Sequence, residues 1–432
     1  MDEIFIGIIG FGTVGAGTFE ILTKNEELIE QKVGARLKVK KIADLDITSY
    51  RGIEVPSGIL TTDMNEILDD DDISIVIELI GGTTVAFDVI KRALSSGKHV
   101  VTANKALLAE RGELLYKTAA EFGTSLAFEA SVGGAIPIIG ALRTGLAGNR
   151  ILSFKGILNG TSNYILSRMA SDGLPYEKVL AEATALGYAE TPPDLDVEGY
   201  DTAHKVAVMA SLIMGTPVEY GSIYREGITF ISDEDIFYAK TLGYSIKLLG
   251  IARIEGRKLE AKVHPVMLPI EHILSNVNDV FNAVYVEGDF SGPTLYYGKG
   301  AGRCPTASAV AADLVELGCM ISNCSKPVIP LTYRDKTGCP VELVSIYESH
   351  MPYYLRFSAV DSPGVLSKIS GVLSDNNISI YSVIQKGRSE NTPVTIVMLT
   401  HEARERDMRC ALGRIDEMDI ITNKTIMIRV DI

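Results

Sequence analysis

Apolar and polar positions in the first 130 residues alternate between two rhythms. Short apolar runs at 4–9, 37–43, 73–79, 99–102 and 125–128 have the length and β-branched content of buried strands. Between them, 13 to about 30, 85–95 and about 106–122 carry helical spacing. Strands alternating with helices predict a parallel, doubly wound Rossmann-type sheet. The ligand crevice of such a sheet lies at the carboxyl ends of its strands.

The rhythm loosens at 129–137, a small-residue, glycine-rich segment that reads as the exit from a first domain, 1–130. The second region, 131–334, mixes a strand (151–158), helices (a run through 169, and 176–186) and β-like runs at 248–254, 260–266 and 283–287, the mark of an α+β domain. A glycine-rich turn near Gly302 feeds a helix, about 305–320, that is expected to return to the first domain. Residues 335–352 lack periodicity and read as a linker. The last part, 353–432, reads strand, helix, strand, strand, helix, strand, with Val365, Leu366, Ile369, Val372 and Leu373 on one helical face. That order is a ferredoxin-like βαββαβ unit.

Composition narrows the field of partners. Across 432 residues, 55 Asp and Glu stand against 41 Lys and Arg, a net charge of −14 that would repel nucleic acid and anionic membranes. No window approaches eighteen uninterrupted apolar residues. The start, Met1-Asp2-Glu3, lacks a basic leader region, so a cytoplasmic protein is expected. The five cysteines have neither CxxC nor zinc spacing and are expected as free thiols.

Two motifs carry chemistry. Gly10-Phe11-Gly12-Thr13-Val14-Gly15 sits between a strand and a helix, which is the placement that makes a GxGxxG pattern a dinucleotide loop. Asp44, at the end of the second strand, suits the ribose hydroxyls of NAD, although it lies beyond the usual interval of about 20 residues. Lys40 and Lys41 are close enough to leave NADP open. Two further strand ends, Gly81-Gly82-Thr83 and Thr102-Ala103-Asn104-Lys105, place Lys105 beside the cofactor.

The second motif is 187–205, with Glu190, Asp194, Asp196, Glu198 and Asp201 packed into twelve residues and closed by Lys205. Asp201 and Lys205 share a helix face, and the apolar run 206–214 says that this helix is buried. A calcium loop is excluded, because its twelfth position would be Lys205 where a bidentate Glu is needed. Oxidising an alcohol with a nicotinamide needs an acceptor for the hydroxyl proton, and a lysine of lowered pKa serves. Carboxylates nearby suit the ammonium of an amino acid.

These residues resemble the homoserine dehydrogenase family. The likeness runs through Thr102-Ala103-Asn104-Lys105, through 156–164 (GILNGTSNY), and through Ala183, Gly187-Tyr188-Ala189, Pro193, Asp196, Gly199, Asp201 and Lys205. Asp361-Ser362-Pro363-Gly364-Val365-Leu366 is similar to the turn of an ACT domain, a small amino-acid sensor. The resemblance implies NAD(P)-dependent interconversion of L-homoserine and L-aspartate 4-semialdehyde, with Lys205 and Lys105 as catalytic lysines. It implies Glu190, Asp201, Asp196 and Lys105 around the substrate, and Gly187, Gly302 and Lys105 near the cofactor. It also implies a sodium site at Glu129 with the carbonyls of Val132, Gly134 and Ile136, and an effector such as L-threonine at Asp361, Pro363, Gly364, Val365 and Leu366. Homodimers or homotetramers are expected on the same basis. The chain departs from the family's pattern at Thr191-Pro192-Pro193, and at Ala43, where a basic residue is common; the latter favours NAD. Two other readings stay open: an amino-acid sensor with a vestigial dehydrogenase half, and a dehydrogenase for another amino-acid alcohol.

Overall fold

The computed structural model describes residues 3–189, 191–323, 341–385 and 393–431. Glu190, named above for the substrate, lies outside the described residues, as do Cys324 and Cys339. The first domain is a six-stranded parallel sheet in the order Leu60–Thr61, Arg36–Ala43, Glu3–Ile9, Ile73–Glu78, His99–Thr102, Leu126–Ala127. Its central strands are apolar on both faces because helices cover both, as a parallel sheet requires. The helix expected over 13 to about 30 is two helices, Thr13–Lys24 and Glu26–Val33. The chain breaks at Asn25, whose N–H closes the first helix on Ile21 O while its own carbonyl starts the second. Periodicity alone did not show that corner.

The return helix, Arg303–Ser322, packs on Thr13–Lys24 and completes the first domain's core through Ala309, Val310, Leu314 and Leu317. Gly17 permits the approach, since a Cβ there would stand 2.8 Å from the Arg303 side chain. Among the described residues this helix alone is long and apolar enough to span a membrane by composition, and it is a core helix here.

The second sheet runs Gly292–Lys299, Phe281–Gly288, Ile151–Ile157, Tyr244–Glu255, Lys258–Pro269, and then continues into Ile421–Val430, Tyr353–Val360, Pro393–Thr400 and Ile380–Gln385. The ferredoxin-like unit is therefore no detached module. The outer edge of Lys258–Pro269 pairs in parallel with three segments in turn: Glu342–Leu343, Tyr224–Arg225 and Ile421–Val430. An unpaired edge there would invite aggregation, and all three segments cover it. Residues 341–351, expected as linker, are thus partly stitched into sheets, at Glu342–Leu343 and at His350–Met351, which pairs with Ala403–Arg404.

Ionic contacts reinforce this junction. Arg429 is 1% exposed and donates to Glu405 (2.5 and 2.9 Å), to Glu226 (2.8 Å) and to the Tyr224 hydroxyl (3.3 Å). Arg356 grips Asp235 at 2.6 and 2.9 Å and Glu234 at 3.0 Å. Buried ion pairs of this kind specify a docking geometry more than they add stability.

Candidate active site

Strand Ile151–Ile157 ends at Leu158, and Asn159 caps the helix Gly160–Asp172 by accepting from Ser162 N–H at 2.8 Å. The first turn is pinned from outside. Asn163 Nδ2 donates to the carbonyls of Val277, Asp279 and Phe281 at 3.0–3.1 Å. Gly160 lies against the Val280 carbonyl, which a Cβ would approach to 2.9 Å. The end of this strand is consequently a fixed platform.

Against it lies the helix Tyr200–Met214, buried from Asp201 through Ala210 as the apolar run required. Lys205 Nζ donates to Leu158 O at 2.6 Å and to Asp201 Oδ2 at 2.6 Å. Lys105, the first residue of helix Lys105–Phe122, brings its Nζ to 3.1 Å from Asp201 Oδ1. Asn159 Nδ2 reaches Asp196 Oδ1 at 2.7 Å and Asp201 Oδ2 at 3.0 Å. Two helices far apart in the chain thus put both lysines on one carboxylate, with Asp196 beside them.

The electrostatics follow from burial. Lys205 is 7% exposed, and desolvation pulls its pKa below that of a solvated lysine, with Lys105 pulling the same way and Asp201 opposing. Burial pushes the Asp201 carboxyl up, but Lys205 and Lys105 outweigh it and hold it below the usual carboxylate range. Burial pushes His204 down to about 4, and its ring stacks on Tyr220 at 4.2 Å. An ammonium has three protons, and Lys205 commits two to the protein. The neutral amine would keep both bonds and turn a lone pair to the third direction, as a general base must.

The glycine loop has the shape of a phosphate cradle. Gly10 needs its φ of 101° and its contact with Leu79, and at Gly15 a Cβ would strike Gly10 O at 2.1 Å. Gly12 differs, because a Cβ there would meet nothing within 4 Å and its φ of −71° is ordinary. What its small size preserves is open space at the helix start, where no side chain caps the first amides. Thr13 and Val14 begin that helix, and Phe11 N–H bonds the Asp44 carboxylate, whose other oxygen accepts from Asp46 N–H at 2.9 Å. Lys40 is held by Asp70 and Asp72 and Lys41 by Glu66, all at 2.7 Å. Gly302, with φ 117°, opens the return helix, and Gly187 follows Tyr176–Ala185 just before Tyr188, whose carbonyl accepts from Thr161 Oγ1 at 2.6 Å.

Glu129 is buried, and its carboxylate accepts from Ile139 N–H at 2.9 Å and Gly140 N–H at 2.6 Å. Val132, Gly134 and Ile136 follow in the same irregular turn, which docks on the second sheet through Ala135 N–H to Lys299 O at 3.0 Å. In the C-terminal unit, Asp361, Gly364, Val365 and Leu366, with Pro363 in the same turn, border a pocket of about 200 Å³ closed by Gln385, Val394 and Ile396.

Three polar groups escaped the sequence reading. Asn159 was legible only as part of the 156–164 likeness, with no role of its own. Glu78, fully buried at the end of strand Ile73–Glu78, shapes the Gly81-Gly82 turn by accepting from Ile80 N–H, Gly81 N–H and Thr102 Oγ1 at 2.7–3.1 Å. Asp313, buried in the return helix, accepts from Glu129 N–H at 2.8 Å. A lone carboxylate in an apolar helix or strand was the available signal for the last two.

Comparison with known proteins agrees with this layout. The family description "Homoserine dehydrogenase, NAD binding domain" matches residues 10–129, "Homoserine dehydrogenase" matches 137–315, and "ACT domain" matches 353–416. A homoserine dehydrogenase of Neisseria gonorrhoeae is 42% identical over 432 residues, covering 100% of this chain and 99% of the relative. The crystal structure of a homoserine dehydrogenase from Thiobacillus denitrificans superposes with a TM-score of 0.94 at 41% identity, covering 100% of this chain and 99% of that one. A hyperthermophilic archaeal homoserine dehydrogenase in complex with NADPH matches 73% of this chain and 97% of its own, with a TM-score of 0.62 at 26% identity.

Proposed function

The chain belongs to the homoserine dehydrogenase family, carries out that family's NAD(P)-dependent oxidoreduction of L-homoserine and L-aspartate 4-semialdehyde, and from that premise we propose how its residues divide the work. The bound nicotinamide exchanges a hydride with the substrate carbon that carries oxygen. Lys205 takes the hydroxyl proton during oxidation and returns it during reduction, because it is the buried lysine that shares Asp201 with Lys105 and makes two of its three bonds to the protein. Lys105, its side chain 41% exposed, steadies the substrate oxygen from the cofactor side and holds Asp201 in place. Asp201, Asp196 and Glu190 supply the negative charge that receives the substrate ammonium.

Gly10, Phe11, Gly12, Thr13, Val14 and Gly15 would hold the pyrophosphate, Asp44 the adenosine ribose, and Gly187, Gly302 and Lys105 the nicotinamide end. NAD is the favoured cofactor. Both lysines that offered a home to a 2′-phosphate are committed to carboxylates, although the archaeal relative was solved with NADPH. Glu129 with the carbonyls of Val132, Gly134 and Ile136 would hold sodium, since one carboxylate among carbonyls is a hard, singly charged donor set. L-Threonine is proposed for the ACT pocket bordered by Asp361 and Leu366. We also propose a cytoplasmic enzyme that works as a homodimer or homotetramer.

The observation that carries the reading is the pair of lysines on Asp201. Its test is initial-rate kinetics with homoserine and other amino-acid alcohols, each with NAD and NADP, with and without threonine. Homoserine with NAD should give the highest kcat/KM, and a preference for another alcohol would overturn the substrate assignment. Regulation is best tested by Asp361→Ala. Deletion from Tyr353 onward would strip the cations from Glu226 and from Asp235, which is 0% exposed.

A further inference from the structure

The Asn159 side chain has three partners and a single orientation that satisfies them. Its Oδ1 accepts from Ser162 N–H at 2.8 Å, while its Nδ2 donates to Asp196 at 2.7 Å and to Asp201 at 3.0 Å. Carboxylates only accept and a backbone N–H only donates, so a flipped amide would lose all three bonds. The neighbouring residue contributes as well, for Leu158 O receives Lys205 Nζ at 2.6 Å. One dipeptide at the end of a strand therefore holds the ammonium with its main chain and both carboxylates with its side chain.

We propose that Asn159 is a positioning residue for proton transfer, fixing Asp201 and Asp196 so that the open direction of Lys205 faces the substrate hydroxyl. The proposal rests on the acid/base reading of Lys205. Asp201 Oδ2 is shared by Asn159 and Lys205, while Oδ1 lies 3.1 Å from Lys105. With Nδ2 removed, the carboxylate is free to turn toward the half-exposed Lys105, and Lys205 follows its partner. A neutral amide does this without adding charge. The charged groups facing Lys205 are Asp201 from its own helix, Asp196 from the short helix Asp194–Val197 and Lys105 from Lys105–Phe122. A third carboxylate at 159 would raise the lysine pKa. A bare helix cap would have no need of the Nδ2 bonds.

Two variants separate the roles, Asn159→Ser and Asn159→Asp, because both keep an oxygen for Ser162 N–H and so keep the helix capped. Homoserine oxidation is followed against pH in the full-length protein, beside thermal unfolding. Asn159→Ser is expected to lower kcat about 10- to 100-fold, the range for losing a hydrogen bond to a charged group, with KM for the nicotinamide cofactor and the melting midpoint near native. Asn159→Asp should also move the rising limb of the profile upward by about one pH unit. Native kcat and profile in both variants would overturn the proposal, as would losses that track the unfolded fraction alone. Lys205→Met run alongside distinguishes the failures: native activity there would sink the acid/base reading itself.

Discussion

The chain buries ionic charge in two places that look alike and differ in one respect. Around Asp201, Lys205 and Lys105 share a carboxylate with Asn159, and Lys205 leaves one of its protons without a partner among the described residues. Around Glu405, Arg429 and Arg409 share a carboxylate, and all three nitrogens of the Arg429 guanidinium are engaged. Both clusters are desolvated, and both perturb the groups they contain. What separates a reactive site from a structural rivet here is the cation, since burial can strip a lysine of its proton whereas a guanidinium stays charged.

Substitution should split the two clusters cleanly. Lys205→Met is expected to lower kcat by about a hundred- to ten-thousand-fold, the usual worth of a general base, with a smaller stability loss than Arg429→Met, because Asp201 keeps Lys105 and Asn159. Steady-state kinetics and a thermal melt on one preparation check both halves. Arg429→Met should do the reverse. It takes one of two arginines from buried Glu405 and the close partner from Glu226, a loss toward the low end of about 3–5 kcal/mol in denaturant unfolding, while kcat of the folded enzyme stays within about twofold, because Arg429 makes no contact in the site. Adding Glu405→Met should restore most of that stability, since a packed apolar pair replaces a broken ionic one.

Smaller effects sharpen the contrast. Asp44→Ala should lower the NAD-to-NADP ratio of kcat/KM by about tenfold, the worth of one charge-assisted hydrogen bond. Acid titration gives the smallest. Burial pushes the Glu405 carboxyl up, but Arg429 and Arg409 together outweigh it and hold it below its ordinary 4.5. Its contribution is therefore present above that value and is lost as the pH falls through the lowered pKa. In Arg429→Met the carboxyl keeps only the pull of Arg409, so acid has less stability to remove. The stability gap between wild type and variant should narrow below the ordinary value of 4.5, as urea midpoints across pH would show.

The same contrast explains what could be read in the sequence. Asp201 and Lys205 were visible because they stand four apart at the mouth of an apolar run. Five of the first sheet's six strands were visible because each is an apolar run closed by a turn signal, while Leu60–Thr61 is two residues long and carries no pattern. The rivet was not visible, for Arg429 meets partners 24 and 203 residues away, and each of these is one charge in an ordinary amphipathic segment. Sheet continuity was hidden for a related reason. The pairing of Val266 with Arg429 and of Met267 with Val430 is a tertiary match with no local pattern. Asn159 is the intermediate case: its cap is a local contact three residues on, while its two carboxylates arrive from 37 and 42 residues further on.

The claim at the centre of this account is that Lys205 moves the proton, and the pH dependence of kcat for homoserine oxidation tests it most directly. In the native enzyme the rate should rise with pH through a limb below the pKa of a solvated lysine, because burial depresses Lys205 and only its neutral form accepts a proton. In Lys205→Met that limb should vanish along with most of the rate. Near-native kcat with the limb unchanged would contradict the account.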